Sequence, residues 1–280
     1  QFTSIGRPMD FDHPSNVVIS LVSVIALAGG FIVRLTTGQD WQTSILWGLG
    51  VSVSVFLAWA LSREIEPGKD LPSYSTIAIT LIAVFFYYPP NFLGLIWLML
   101  ALRMVNRSTG LKARWQDSVL ITFVSGVLIW FGYWQFTLMG ALVFLFDAWL
   151  REKHPRQYWF AIIHVIMFVV VFITNTRPPS LYLPSVQVII PVVIVSVLMV
   201  VTTLVQRETG AVDDVHQNQL RLKRIQATRL LALFIGLIVT FWNGDPGFRR
   251  LMPLWAALAG SAVYRFFLMT GFRDTVSDTE

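Results

Sequence analysis

The chain reads as long apolar runs broken by short polar punctuation. Ten runs recur, over 16–35, 42–61, 72–88, 91–106, 117–134, 136–150, 158–174, 184–205, 227–243 and 252–270. At a helical rise of roughly 1.5 Å per residue, runs of this kind can cross a hydrocarbon core of about 30 Å. Alternation in segments of about ten residues, which a membrane β-barrel requires, is not seen. The pattern predicts an all-α fold: a polytopic membrane helix bundle of about ten transmembrane helices. Only "GYWQF" (132–136) separates the fifth and sixth runs, so a tight turn is expected there. Residues 1–15 read as a cytoplasmic N-terminal segment, 16–270 as a single transmembrane domain and 271–280 as a polar cytoplasmic tail. The first run is too long for a signal-peptide core and no small-residue cleavage site follows it, so it reads as a retained helix.

The basic residues give an independent check on the helix count. With the N-terminus in the cytoplasm, 17 of the 21 Lys and Arg fall on the cytoplasmic side. The other side holds Arg34, Arg177, Arg249 and Arg250. Cytoplasmic enrichment of Lys and Arg is the rule for short membrane loops. The expectation is therefore an integral membrane protein with both termini inside, of the kind found in a prokaryotic cytoplasmic membrane. The net charge of +5 then reflects topology, and no nucleic-acid partner is implied. Trp41, Trp59, Trp115, Trp134, Trp149, Trp159 and Trp242 fall near run ends, where an amphipathic indole favours the interface.

Composition agrees: 55% of residues are apolar and 13% charged, against about 25% charged in a soluble domain. The chain has no cysteine. That excludes disulfides, thiol nucleophiles, cysteine-ligated zinc and iron–sulfur clusters.

Two short echoes suggest a duplication. "VNRSTG" (105–110) and "VQRETG" (205–210) share V-x-R-x-T-G and close the fourth and eighth runs. "AWALSREIEP" (58–67) and "AWLREKHP" (148–155) follow the second and sixth. The expectation is a four-helix unit used twice, over 16–110 and 117–210, with a final hairpin at 227–270. Gly110 and Gly210 are placed for left-handed helix caps. Arg107 and Arg207 suit the helix dipole and the inner leaflet. The outer segments "FFYYPPN", "TNTRPPSLYLPS" and "WNGDPGF" are rich in Pro and aromatics and read as compact loops.

Candidate chemistry is sparse. His164 is the one histidine inside a run. It is a candidate haem or pigment ligand, against the simpler reading of a histidine bonded to a neighbouring helix. Asp147 and Arg265 match in depth and are a candidate intramembrane ion pair. Arg107, Arg207, Arg221, Lys223 and Arg224 are candidate contacts for anionic lipid headgroups, each basic residue near the surface contributing about 1 kcal/mol. Acids follow the second run (Glu64, Glu66, Asp70) and the sixth (Asp147, Glu152). That placement resembles the prenyltransferase superfamily that includes ubiquinone and chlorophyll prenylation enzymes. The resemblance implies magnesium and a prenyl diphosphate held by N-D-x-x-D-x-x-x-D motifs, whereas "SREIEPGKD" and "FDAWLREKH" lack that aspartate spacing. Asp10, Asp12 and His13 read as part of a helix start with Pro14, Ser15 and Asn16. "NRS" at 106–108 has the glycosylation pattern but lies on the inner side. "ALAGG" (26–30) and "LAGSA" (258–262) permit close helix contact. No Walker loop, H-E-x-x-H, G-x-S-x-G or Rossmann fingerprint is present.

These features predict a non-catalytic integral-membrane protein with no metal site. The expected role is accessory or assembly subunit of a larger membrane complex, with membrane lipids and other membrane subunits as partners. No cofactor is assigned; bound lipid is expected, with pigment or quinone as alternatives. The first alternative is an enzyme acting on a lipid or isoprenoid at the cytoplasmic interface. It needs an inward cavity lined by Glu64, Glu66, Asp147 or Glu152. The second is a transporter of a small apolar or amphipathic solute, which needs a central cavity between the repeats.

Overall fold

The computed structural model describes residues 3–6, 9–87, 90–150, 153–174, 181–216 and 218–269. Among them run eleven helices: α1 (Pro14–Thr36), α2 (Trp41–Ile65), α3 (Leu71–Tyr87), α4 (Phe92–Asn106), α5 (Trp115–Trp130), α6 (Gln135–Trp149), α7 (Gln157–Thr174), α8 (Val186–Val205), α9 (Leu222–Asn243), α10 (Asp245–Arg250) and α11 (Met252–Met269). Ten are long and match the ten apolar runs. Arg7, Arg151, Glu152, Arg177 and the tail expected over 271–280 lie outside the described residues. Two isolated bridges, Tyr182 with Asn243 and Val212 with Gln219, are the β-pairing among the described residues.

Two boundaries differ from expectation. α9 starts at Leu222, five residues early, because Arg224 is held inside the protein and draws the basic front of this segment into the helix. "WNGDPGF" is not a loop: Trp242 and Asn243 end α9, Gly244 makes the break, and α10 begins at Asp245. Gly244 takes a positive φ of 64° and Pro246 occupies the first turn, where its missing N–H costs nothing. At the start of α1 the capping residue is His13, with no side-chain cap bond, and Pro14 follows. Asp40 caps α2 by accepting from the Thr43 N–H (2.8 Å) and hydroxyl (2.7 Å). Those bonds hold its carboxyl below the usual range.

Among the described residues six segments are long and apolar enough to cross a membrane: α1, α2, α7, α8, the α9–α10 stretch and α11. The apolar helices α3, α4, α5 and α6 are shorter, at 15–17 residues.

α2 and α4 form the centre. α2 packs on α1, α3, α4, α9 and α11, and α4 on α2, α5, α6 and α9. α7 lies against α6 and α5, and α8 against α9 and α11. The interior is filled by large side chains: Leu61, Trp97, Leu98, Leu102, Phe136 and Phe144 are all buried. These belong to one continuous hydrophobic core. α1, α7 and α8 instead turn apolar faces outward, with Ile25, Ile173 and Ile194 exposed.

Close helix contact is made where the small residues allow it. A Cβ on Gly48 would lie 2.5 Å from the Leu27 carbonyl oxygen, so α1 and α2 touch backbone to backbone. A Cβ on Gly260 would lie 2.5 Å from Thr76 Oγ1, which brings α11 onto α3.

The fold does not support the duplication. α4 ends with Arg107 itself in the left-handed region (φ 53°), and Gly110 (φ 82°) shapes the turn beyond. α8 runs out through an extended Gln206, φ −63° and ψ 126°. The physical reason lies in α9: Gln226 donates to the Gln206 carbonyl (3.3 Å) and Arg229 to its side-chain oxygen, which pull the chain straight. Gly210 has no positive φ. The packing differs too: α2 packs on α4, whereas α6, its counterpart, makes no comparable contact with α8 among the described residues.

Candidate functional site

Helix ends with the same expected orientation converge at one end of the bundle. There three buried carboxylates, Glu64, Glu66 and Asp147, meet arginines from helices distant in sequence.

Asp147, near the end of α6, is fully enclosed. Arg107 donates to its Oδ1 from Nε (3.0 Å) and Nη2 (2.7 Å). Arg224 Nη1 donates to the same oxygen at 3.2 Å and to the Val105 carbonyl at 2.9 Å. Oδ2 accepts from Gln157 Nε2 at 3.2 Å and lies 3.3 Å from His154 Nδ1. Ser118 Oγ donates to the other end of the Gln157 amide at 2.9 Å. One carboxylate thus ties α6 to α4, α7 and α9, and reaches α5 through Gln157.

Glu66 and Glu64 make the other two centres. Glu66 accepts from Arg229 of α9 (2.8 Å) and from both Nε and Nη2 of Arg265 of α11. Arg229 Nε also donates to the Ile65 carbonyl at 2.8 Å. Glu64 accepts from Arg103 Nε (2.8 Å) and Ser108 Oγ (2.8 Å), while Asn106 donates to its carbonyl at 3.1 Å. The N-terminal segment closes over this end. Thr109 donates to the Ser4 carbonyl at 2.7 Å, and the hydroxyls of Thr3 and Ser4 reach Asp117.

A second polar chain runs through the apolar core. Trp97 Nε1 donates to Ser125 Oγ (2.8 Å), which lies 3.1 Å from His164 Nε2. His164 Nδ1 lies 2.8 Å from the Phe160 carbonyl. With Nδ1–H donated to Phe160, Nε2 is the acceptor facing the Ser125 hydroxyl, whose one proton is shared between it and the Ile121 carbonyl at 2.9 Å. The ring sits directly on α6: a Cβ on Gly140 would come 2.1 Å from its Cδ2.

These positions correct several expectations. Asp147 and Arg265 do not pair; each is satisfied by a nearer partner on another helix. His164 has both ring nitrogens in hydrogen bonds and its face against glycine, an arrangement that joins α7 to α5 and α6. Arg107 and Arg224 are buried in the protein and face Asp147, so they are not headgroup contacts. Arg207, Arg221 and Lys223 are exposed. Asn106 of the "NRS" pattern is buried with its amide donated inward, which removes it as an acceptor. Trp41, Trp115, Trp149 and Trp159 are exposed at helix ends, whereas Trp59 and Trp134 are buried.

The acids do not fit a magnesium diphosphate site. Magnesium needs several hard oxygens converging in octahedral reach. Glu64, Glu66 and Asp147 each face a guanidinium instead, and Glu152 lies outside the described residues. Sequence reading missed the Glu66 clasp, Arg229 and the Trp97–Ser125–His164 chain. The available signal was Arg229 inside "RLLALF", a cation within an apolar run, which calls for a buried partner.

Comparison with known proteins found no matching family, no matching curated protein and no matching solved structure. The fold therefore defines a class only: an all-α bundle with six helices able to span a membrane.

Proposed function

We propose that the chain is an integral-membrane protein of ten spans, both termini cytoplasmic, in a prokaryotic inner membrane. It acts without catalysis, as an accessory or assembly subunit of a larger membrane complex. The observation that carries this reading is the latch of Glu64, Glu66 and Asp147. Its ionisable groups are consumed in joining helices, and it rigidifies one end of a bundle whose α7 and α8 faces are broad and apolar. A rigid body with outward apolar faces suits packing against other membrane helices.

Extraction from the native membrane in a mild detergent or native nanodisc tests this. The expected result is a stoichiometric assembly larger than one copy, with other membrane proteins cross-linked through α7 or α8. A solitary bundle with only lipid along those helices overturns the reading.

A further inference from the structure

A groove of about 380 Å³ lies between α6 and α9. Its lining is wholly apolar, five leucines and two phenylalanines. Leu142 and Phe146 stand on the α6 side, and Leu230, Phe234 and Leu237 on the α9 side. Leu230 is 38% exposed and Phe234 43%, so the groove opens outward. It is a different face from those of α7 and α8, neither of which contributes a wall.

Asp147 at the end of α6 meets Arg224 at the start of α9, so the two helices run antiparallel. Both walls therefore lead to the latch end of the bundle. On α9, Lys223 shares a face with Leu230, Phe234 and Leu237, because their spacings are close to whole turns of about 3.6 residues. The turn between Lys223 and Leu230 carries Ala227 on that face, a small side chain. On α6, Trp149 follows Leu142 on the same face by the same helical repeat and is 71% exposed. Lys223 is exposed too, and no acid pairs with it among the described residues. Its long apolar stem lets the ammonium reach the interface, and an indole favours that depth.

The order along the groove is thus an apolar trough, then an exposed indole, then an unpaired cation. A phospholipid has the complementary order, from acyl chain to phosphate. Lipid tails are as apolar as leucine, so the trough supplies packing and no preference among lipids. The preference comes from Lys223 and is for negative charge. We propose that the α6–α9 groove holds an acyl chain of one anionic phospholipid, with its phosphate beside Lys223 and Trp149. The site rests on the membrane placement of α6 and α9 and not on any partner subunit.

The test titrates the full chain in detergent with phosphatidylglycerol or phosphatidylcholine and counts bound molecules by native mass spectrometry. One tightly held phosphatidylglycerol is expected, preferred about fivefold over phosphatidylcholine, whose choline offsets the phosphate charge. Lys223→Gln, at an exposed position, should fold normally and lose that preference. Leu230→Trp fills the trough and should displace both lipids. Equal binding of the two lipids by the parent chain overturns the proposal, and so does a phosphatidylglycerol affinity unchanged in Lys223→Gln, even where Leu230→Trp fails to fold. A photo-crosslinking residue at position 234 should capture phospholipid in native membranes; capture of a protein helix there overturns the lipid site and leaves the subunit reading standing.

Discussion

At the scale of single residues, the latch is defined by which partner each charge has. Asp147 accepts from two arginines, and neither has water to fall back on. Asp147→Ala leaves Arg107 and Arg224 buried without their carboxylate. Removing one member of a buried pair costs about 3–5 kcal/mol. Thermal unfolding in detergent should show that loss, with Asp147→Asn falling between the alanine variant and the parent. An alanine variant as stable as the parent would show that Asp147 joins nothing. Sequence alone placed Asp147 and Arg265 at one depth and invited a pair. Depth along a helix is legible from distance to the run's end; azimuth and neighbour are not, because any of ten helices can stand beside α6. Arg107 was read as a dipole and leaflet cation for the same reason. Its left-handed φ, which turns the side chain back towards α6, has no signature in "VNRSTG".

At the scale of elements, helix existence was legible because the apolar signal is local and each run is long. Helix contact was legible only where glycine marked it. Gly48 and Gly29 make the contrast. Both sit in helix interiors, where Gly→Ala by itself is stabilising by roughly 0.5–1 kcal/mol. Gly29 has nothing within 4 Å of its added Cβ, whereas Gly48 meets the Leu27 carbonyl at 2.5 Å. Gly29→Ala should therefore be neutral or stabilising. Gly48→Ala should lose about 1–3 kcal/mol, the usual cost of overpacking. Measured side by side by thermal unfolding, equal stability of the two variants would contradict the α1–α2 backbone contact. The supposed repeat shows the opposite limit. Four matching letters in six at the ends of α4 and α8 hid two different exits, because the exit from α8 is set by Gln226 and Arg229, farther along the chain.

At the scale of the molecule, the alternation of inner and outer ends is testable without engineering out background. The chain has no cysteine, so a single introduced thiol reports one site. Gln39→Cys and Glu208→Cys lie at exposed positions beyond opposite ends of the bundle. A membrane-impermeant maleimide should label position 39 in intact spheroplasts and position 208 only after lysis. Labelling of both from one side would break the proposed ten-span topology. The charge asymmetry behind that expectation was legible from the chain, because it needs no knowledge of packing. Which apolar residues form the buried core was not, since an apolar run looks alike whichever of its faces is turned inward.

The clasp on Glu66 spans almost the whole chain: Arg229 lies 163 residues downstream and Arg265 lies 199. During synthesis α2 therefore leaves the insertion machinery with an acid that stays unmatched until the last two long helices follow. The bundle cannot close this end until Arg229 and Arg265 have been made. A chain that stalls before residue 229 carries a bare carboxylate at the membrane, a mark by which a protease or chaperone could tell unfinished copies from finished ones.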